Sequence, residues 1–331
     1  GVEPNYATLE AGCYADRAAM RAAAPDVSAF ANDFWTVVDG YPIPTRLVGT
    51  KFENAGKPHE TVTLEGSQYV GTANSGETFT INLSALSSRI APFALADVTI
   101  NGTSFATKSD ADGSLTLDRA SVANMTDAAA IIITFENEDE KLTVYANLDF
   151  CTMTISTAED LQAFPAVMKA NPTGHYVLVN DIDMNGVAYS NDATVPFAGT
   201  FDGQGYSIFN MYTKTSSVDM HGGFFGMYFG ANDTGVEVEG AVLKNISFVN
   251  ATVWGRGSFL AMRGQGAVEN VYLRVNIQDL FAHVGDPNPW YNSTSVLFNV
   301  AYWDVELKNV IVEYNEALTN NNGWGYALGQ I

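Results

Sequence analysis

Basic residues are scarce in this chain. Its 331 residues include 16 lysines and arginines against 37 aspartates and glutamates, a formal net charge of −21 at pH 7. Proteins that bind nucleic acid carry a basic surface, so this balance excludes the usual nucleic-acid-binding classes. A large negative charge keeps a protein solvated and is typical of secreted or surface-exposed chains. We therefore expect an extracellular or cell-surface location and no nucleic-acid partner.

Cysteines, paired histidines and long apolar runs are also rare or missing. The two cysteines, Cys13 and Cys151, belong to no C-x-x-C motif, and they are either two thiols or one disulfide. The four histidines are dispersed, and no two have the spacing of zinc ligands. No apolar run approaches the roughly 18 residues that a membrane-spanning helix needs. We predict no cofactor and no membrane insertion.

Hydrophobic residues are plentiful, at 47% of the chain, and their pattern divides it. Residues 1–48 contain one alanine-rich helical stretch, "CYADRAAMRAAA", and one strand, "FWTVVDGYPIP", too little to enclose a core. Residues 49–150 contain short alternating segments between Gly, Asn and Asp turns, which predict an immunoglobulin-like β-sandwich. The last domain, residues 151–331, opens with a helix in "ISTAEDLQAFPAVMKANPTG", for which Ser156 and Glu159 predict a capping box.

An asparagine-centred repeat follows this helix. The lines "SIFNMYT", "VLKNISFVN", "AVENVYLRV" and "ELKNVIVEY" align on Asn210, Asn245, Asn270 and Asn309. The residue two before each asparagine is apolar, namely Ile208, Leu243, Val268 and Leu307, and so is the residue just after it. Positions three apart lie on opposite faces of a straight strand, so both can face one core only if the chain bends. Asparagine tolerates the left-handed conformation of such a bend, and we predict that each of these asparagines is a corner between two strands.

Strands that meet at repeated corners, without helices between them, form a solenoid. We predict a right-handed parallel β-helix of the pectate-lyase type, so that the chain is all-β apart from its short helices. The stretch "FAGTFDGQGYSIFNMY" is then one coil, with Phe197, Phe201 and Ile208 pointing inward and Gly203 and Gly205 at a corner. Its "TFDGQG" follows no phosphate-loop spacing and opens no helix.

The same residues carry a resemblance to a known family. "YVLVNDIDMNG", "PFAGTFDGQGYSIFNM", "GGFFG" and "VLKNISFVN" resemble the β-helix of bacterial surface proteins with GLUG-type repeats, over about residues 152–331. Residues 49–150 resemble, more distantly, the bacterial immunoglobulin-like modules that accompany such repeats, and "DFWTVVDGYPIP" resembles the closing coil of a preceding β-helix. The resemblance implies a large modular, secreted or wall-attached protein used for adhesion or binding, with no catalytic residues.

Three aspartates are weak calcium candidates. Asp181 and Asp183 share a strand face, and Asp202 lies in "TFDGQG". Parallel β-helix lyases and hydrolases use clustered carboxylates, sometimes around calcium, so a glycan-active enzyme or its carbohydrate-binding module is the alternative function. No arginine lies between Asp181 and Asp219 to complete a charged site. We favour the interpretation that these carboxylates accept backbone N–H bonds at corners.

A loop near the end of the chain, "HVGDPNPWYNSTS", is the best ligand-binding candidate in the sequence. Trp290, Tyr291 and Asn292 place flat rings beside an amide, a combination that suits sugars. The alternative is a loop that folds back over an apolar corner. We therefore predict a non-enzymatic adhesin-type binding or scaffold module, with a host or dietary glycan or a surface protein as partner.

The sequence stops at "GWGYALGQI", inside an element that precedes further strands in the earlier repeats. An unfinished coil exposes strand edges that pair readily with other chains. We expect that residue 331 does not end the natural protein, and that the open coil associates weakly with another copy.

Overall fold

The described part of the chain is mostly β-strand. The computed structural model describes residues 35–38, 41–44, 59–105, 107–109, 113–213, 223–232, 238–254, 257–278, 293–314 and 324–326. The chain divides into two compact units between Asp149 and Phe150, and Tyr69–Ser75 belongs to the second unit. The division into three segments at residues 48 and 150 stays a prediction. None of the described helices is long and apolar enough to cross a membrane.

The first unit contains three sheets, in which most strand pairs are antiparallel. The two-stranded sheet pairs β1 (Trp35–Val38) with β2 (Tyr41–Pro44). The five-stranded sheet has the order β3 (His59–Gly71), β10 (Lys141–Cys151), β9 (Ala129–Glu136), β5 (Ala94–Ile100) and β6 (Thr103–Ser104). The three-stranded sheet has the order β4 (Thr78–Asn82), β8 (Ser114–Asp118) and β7 (Thr107–Ser109). Burial alternates along β9 and β8, so that Ile131, Ile133, Leu115 and Leu117 are fully buried. Such alternation means that each sheet buries one face.

Within the described ranges, two short α-helices accompany the strands. Helix α1 (Ser87–Ile90) lies in the first unit, and α2 (Ala158–Ala170) lies in the second. Helix α2 does have a capping box, but Thr157 and Asp160 form it, one residue later than predicted. Both pairs have the same spacing, but the Ser156 N–H and hydroxyl instead donate to Asp160 Oδ2, at 3.0 Å and 2.8 Å.

The second unit is built from parallel strands stacked in register. We call each passage of the chain through these stacks a layer. The first stack contains β11 (Met153–Ile155), β12 (His175–Leu178), β15 (Thr200–Asp202) and the segments before the predicted corner asparagines in β19 (Val242–Trp254), β21 (Ala261–Gln278) and β23 (Phe298–Tyr314). The second stack contains β13 (Ile182–Asp183), β16 (Ser207–Phe209) and the segments of β19, β21 and β23 after those asparagines.

Further parallel pairs extend several of the layers. A third stack contains β14 (Ala188–Tyr189), β17 (Tyr212–Thr213) and the ends of β19 and β21. Strand β18 (Tyr228–Phe229) pairs with the start of β21. A separate parallel sheet contains β20 (Gly257–Ser258), β22 (Ser293–Ser295) and β24 (Trp324–Tyr326). All strand pairs described within the second unit are therefore parallel.

The interior of the second unit is filled with aromatic rings. The fully buried phenylalanines are Phe164, Phe197, Phe201, Phe224, Phe225, Phe229, Phe248, Phe259 and Phe298. Successive layers stack their rings, since Phe197 and Phe229 have centroids 5.8 Å apart, and Phe229 and Phe298 have centroids 5.6 Å apart. Helix α2 contributes Leu161, Phe164 and Met168 to the same core. The burial of these large rings supplies the main stabilisation of the layers.

One residue predicted to face the core is exposed. Leu307 is 38% exposed, whereas Leu243 and Val268 at the same place in earlier layers are fully buried. Among the described strands β23 pairs only with β21, so no described strand lies on its other side. The prediction of burial for Leu307 was wrong because burial at this position needs a neighbouring layer on both sides.

Candidate functional site

The four asparagines of the repeat have left-handed backbones. The φ angles are 52° at Asn210, 55° at Asn245, 53° at Asn270 and 54° at Asn309. Around Asn210, Asn245 and Asn270 the apolar residues on both sides of the bend are buried, as Leu243 and Ile246 are around Asn245. This is the conformation that a corner between two strands requires.

Three of these side chains form a continuous ladder, which we call the first asparagine ladder. The Asn309 Nδ2 donates to Asn270 Oδ1 at 2.8 Å, Asn270 Nδ2 donates to Asn245 Oδ1 at 3.0 Å, and Asn245 Nδ2 donates to Asp202 Oδ1 at 3.1 Å. Asp202 is buried, and its Oδ2 lies 3.3 Å from Lys244 Nζ. The ladder thus ends on a carboxylate that is also held by an ion pair.

The fourth asparagine belongs to a second asparagine ladder. Asn276 Nδ2 donates to Asn250 Oδ1 at 3.1 Å, Asn250 Nδ2 donates to Asn210 Oδ1 at 2.6 Å, and Asn210 Nδ2 donates to Asp183 Oδ1 at 2.9 Å. The sequence alignment of Asn210 with Asn245 is therefore wrong in register. Ser207–Phe209 pairs with Ser247–Val249, which places Asn210 against Asn250.

The "TFDGQG" stretch is the first corner of the first ladder, widened relative to the later layers. The Gly203 N–H donates to Lys244 O and the Gly205 N–H donates to Asn245 O, both at 2.8 Å. Gln204 and Gly205 supply the positive φ angles, 52° and 84°, that one asparagine supplies in later layers. Asp202 Oδ1 also accepts the Gln204 N–H at 3.0 Å. These bonds give the stretch a structural role at the corner.

The three candidate aspartates bind amide donors. Asp181 Oδ1 accepts the Ser207 N–H at 2.7 Å, and Asp183 Oδ1 accepts the Asn185 N–H at 2.8 Å in addition to the Asn210 amide. Asp183 and Asp202 each lie at one end of a different asparagine ladder. In the part of the chain that the structure describes, no group of three or more His, Cys, Asp or Glu residues could hold a metal ion.

Asp183 should make the second unit sensitive to acid. The Asn210 amide, followed by the Asn185 N–H, holds the pKa of the Asp183 carboxyl below its usual range. A carboxylate whose pKa is lowered by folding stabilises the fold above its unfolded pKa of about 4, and this contribution is lost as the pH falls through the folded pKa. When the pH is lowered from neutral to below about 4, we expect the urea midpoint of the wild type to fall. The midpoint of Asp183→Asn should fall less over the same pH range, because this variant has no carboxylate to protonate at that position. Parallel pH profiles of the two proteins would contradict this role.

A shallow groove of about 320 Å³ runs beside the first asparagine ladder. Its lining residues are uncharged, and they are Gly205, Asn245, Ile246, Ser247, Asn270, Val271, Tyr272, Asn309 and Ile311. The Tyr272 hydroxyl donates to Glu313 Oε2 at 2.8 Å, which orients the ring, and this bond raises the pKa of Tyr272. Ile311 is 57% exposed. The groove therefore combines a row of amides with an aromatic and an aliphatic side chain.

The residues Trp290, Tyr291 and Asn292 lie outside the described residues, as does Cys13. The sugar-binding loop therefore stays a prediction, and so does the state of the two cysteines, of which Cys151 is buried. The groove was not predicted from the sequence. A sequence signal that could have predicted the groove is the residue two places after Asn245 and Asn270. These residues are the polar Ser247 and the aromatic Tyr272.

The sequence matches no protein-family model and no curated protein, and the structure matches no solved structure.

Proposed function

We propose that the second unit is a right-handed parallel β-helix and that the first unit is an immunoglobulin-like β-sandwich. The β-helix is supported by the parallel stacks, by the left-handed corners that join the first stack to the second, and by the continuous aromatic interior. The sandwich is supported by antiparallel pairing within two sheets that each bury one face. The resemblance to GLUG-type repeats is part of the same proposal.

We further propose a function as a non-enzymatic surface or adhesin-type binding or scaffold module of a larger secreted bacterial protein. The observation that carries this proposal is the pair of asparagine ladders. They link successive layers by side-chain hydrogen bonds, so that the layers present a row of fixed polar groups on a repetitive wall. Solenoids with such walls bind or display extended partners over several repeats.

The role of the aspartates favours binding over catalysis. A glycosidase needs two carboxylates facing each other across the scissile bond, one acting as acid. Asp183 and Asp202 each begin a separate ladder, and Asp202 is buried beside Lys244. Each carboxylate is thus used to anchor amide groups, which is a structural task.

A glycan array with the whole chain, followed by incubation with the bound polysaccharides, tests this function. We expect binding without any change in the size of the polysaccharide, measured by chromatography and by an assay for new reducing ends. The Asp183→Asn and Asp202→Asn variants should bind the same polysaccharides as the wild type wherever they remain folded. The appearance of shorter or unsaturated products, lost in either variant, would instead establish a glycan-active enzyme.

A further inference from the structure

We infer that the groove beside the first asparagine ladder binds a neutral linear glycan, with one sugar unit facing each layer and Tyr272 as the stacking platform. This inference rests on the proposed function as a binding module. It adds the site and the class of ligand. The site differs from the Trp290–Asn292 loop that the sequence suggested.

The spacing of the ladder suits an extended chain of sugars. Asn245, Asn270 and Asn309 lie in successive layers whose strands are hydrogen-bonded neighbours, so their amides recur about every 4.8 Å. A pyranose chain in an extended conformation advances by a similar step per ring. Three ladder amides line the groove, and the groove therefore offers three positions along one line.

The ladder asparagines keep hydrogen-bonding positions that the hydroxyls of a sugar can use. Within the ladder, Asn270 uses one N–H of its Nδ2 toward Asn245 and one lone pair of its Oδ1 toward Asn309. A side-chain amide has two donors and two acceptor lone pairs, so one of each is left. Sugar hydroxyls both donate and accept, and a row of fixed amides can pair with them without rearrangement. Asn270 and Asn309 are exposed, so these groups are accessible.

Tyr272 gives the groove a flat apolar surface. Its ring lines the groove, and the hydroxyl is held by Glu313. The residue at the same place in the preceding layer is Ser247, which is small, and in the following layer it is the exposed Ile311. A tyrosine ring can cover the apolar face of a pyranose while the amides bind its hydroxyls.

The uncharged groove and the negative charge of the chain favour a neutral glycan over an acidic one. The groove lining carries no charged side chain, and the whole chain carries a formal charge of −21. A polyanion would meet a repulsive field without any cation in the groove to offset it. Binding through amides and a ring should also be insensitive to salt, unlike binding through ion pairs.

Isothermal titration of the whole chain tests the inference, with neutral cello-, xylo- and manno-oligosaccharides from dimer to hexamer as probes. We expect the affinity for at least one series to rise up to the trimer or tetramer and then to level off, and to be unchanged by added salt. Tyr272→Ala should weaken binding about tenfold or more, whereas Tyr272→Phe, which keeps the ring, should retain most of it. The matched control is Tyr145→Ala, which removes a half-buried tyrosine of the first unit and should have no effect. Circular dichroism verifies that each variant is folded.

The outcomes separate this inference from the proposed function. An unchanged affinity in folded Tyr272→Ala overturns the site but leaves a glycan-binding module. Binding only to acidic glycans or to peptides, or no binding by any neutral series, overturns the ligand class and leaves the scaffold role. The proposed non-enzymatic function itself fails only if incubation of the protein with the polysaccharides that it binds yields cleavage products.

Discussion

We expect Gly203→Ala to lower the free energy of unfolding of the second unit by about 3 kcal/mol or more. A Cβ at Gly203 would lie 2.5 Å from Asn245 O and 2.5 Å from Ile246 Cβ, both in the next layer. The Asn245 carbonyl is backbone in a hydrogen-bonded strand, and Ile246 is buried, so neither can move aside without disturbing the stack.

Gly205→Ala is the matched control at the same corner. Gly205 has a φ of +84°, and a Cβ there would meet no atom within 4 Å. This variant should therefore lose only the left-handed preference of glycine, about 1 kcal/mol. Urea unfolding followed by tryptophan fluorescence measures both, because four of the five tryptophans follow residue 150. Equal losses for the two variants would show that close approach of the layers is not what Gly203 provides.

The second large effect should come from the middle of the first asparagine ladder. We expect Asn270→Ala to destabilise the second unit by about 3 kcal/mol, because it loses two side-chain hydrogen bonds of about 1 kcal/mol each and places alanine in a left-handed conformation that costs about 1 kcal/mol more. Asn270 has a φ of 53°, donates to Asn245 and accepts from Asn309.

Two variants separate these contributions. Asn270→Gly adopts the same φ freely and loses only the hydrogen bonds, so it should be about 1 kcal/mol more stable than Asn270→Ala. Asn309→Ala breaks one described ladder bond and should cost less than Asn270→Ala. Equilibrium unfolding in urea gives all three values. A full loss for Asn270→Gly would assign the whole effect to hydrogen bonds, and no loss for any variant would remove the ladder from the stabilising interactions.

The bends of the chain could be predicted from the sequence because their causes are local. Two apolar residues three apart around Asn245 and Asn270 cannot face one core unless the backbone turns between them, and asparagine is the residue that turns it at low cost. The same local reasoning identified "TFDGQG" as a corner, although it did not separate the tight packing at Gly203 from the left-handed φ at Gly205.

The sequence by itself determined which residues bend and which alternate, but only the tertiary structure decided which residues stack on one another. Asn210 aligns with Asn250 because of the register between β16 and β19, and that register depends on the widened corner at Gln204 and Gly205. The groove at Tyr272 and the exposure of Leu307 likewise depend on which layers lie on either side. Contacts between layers join residues far apart in the chain, and loops of unequal length between them remove any fixed spacing that a sequence pattern could reveal.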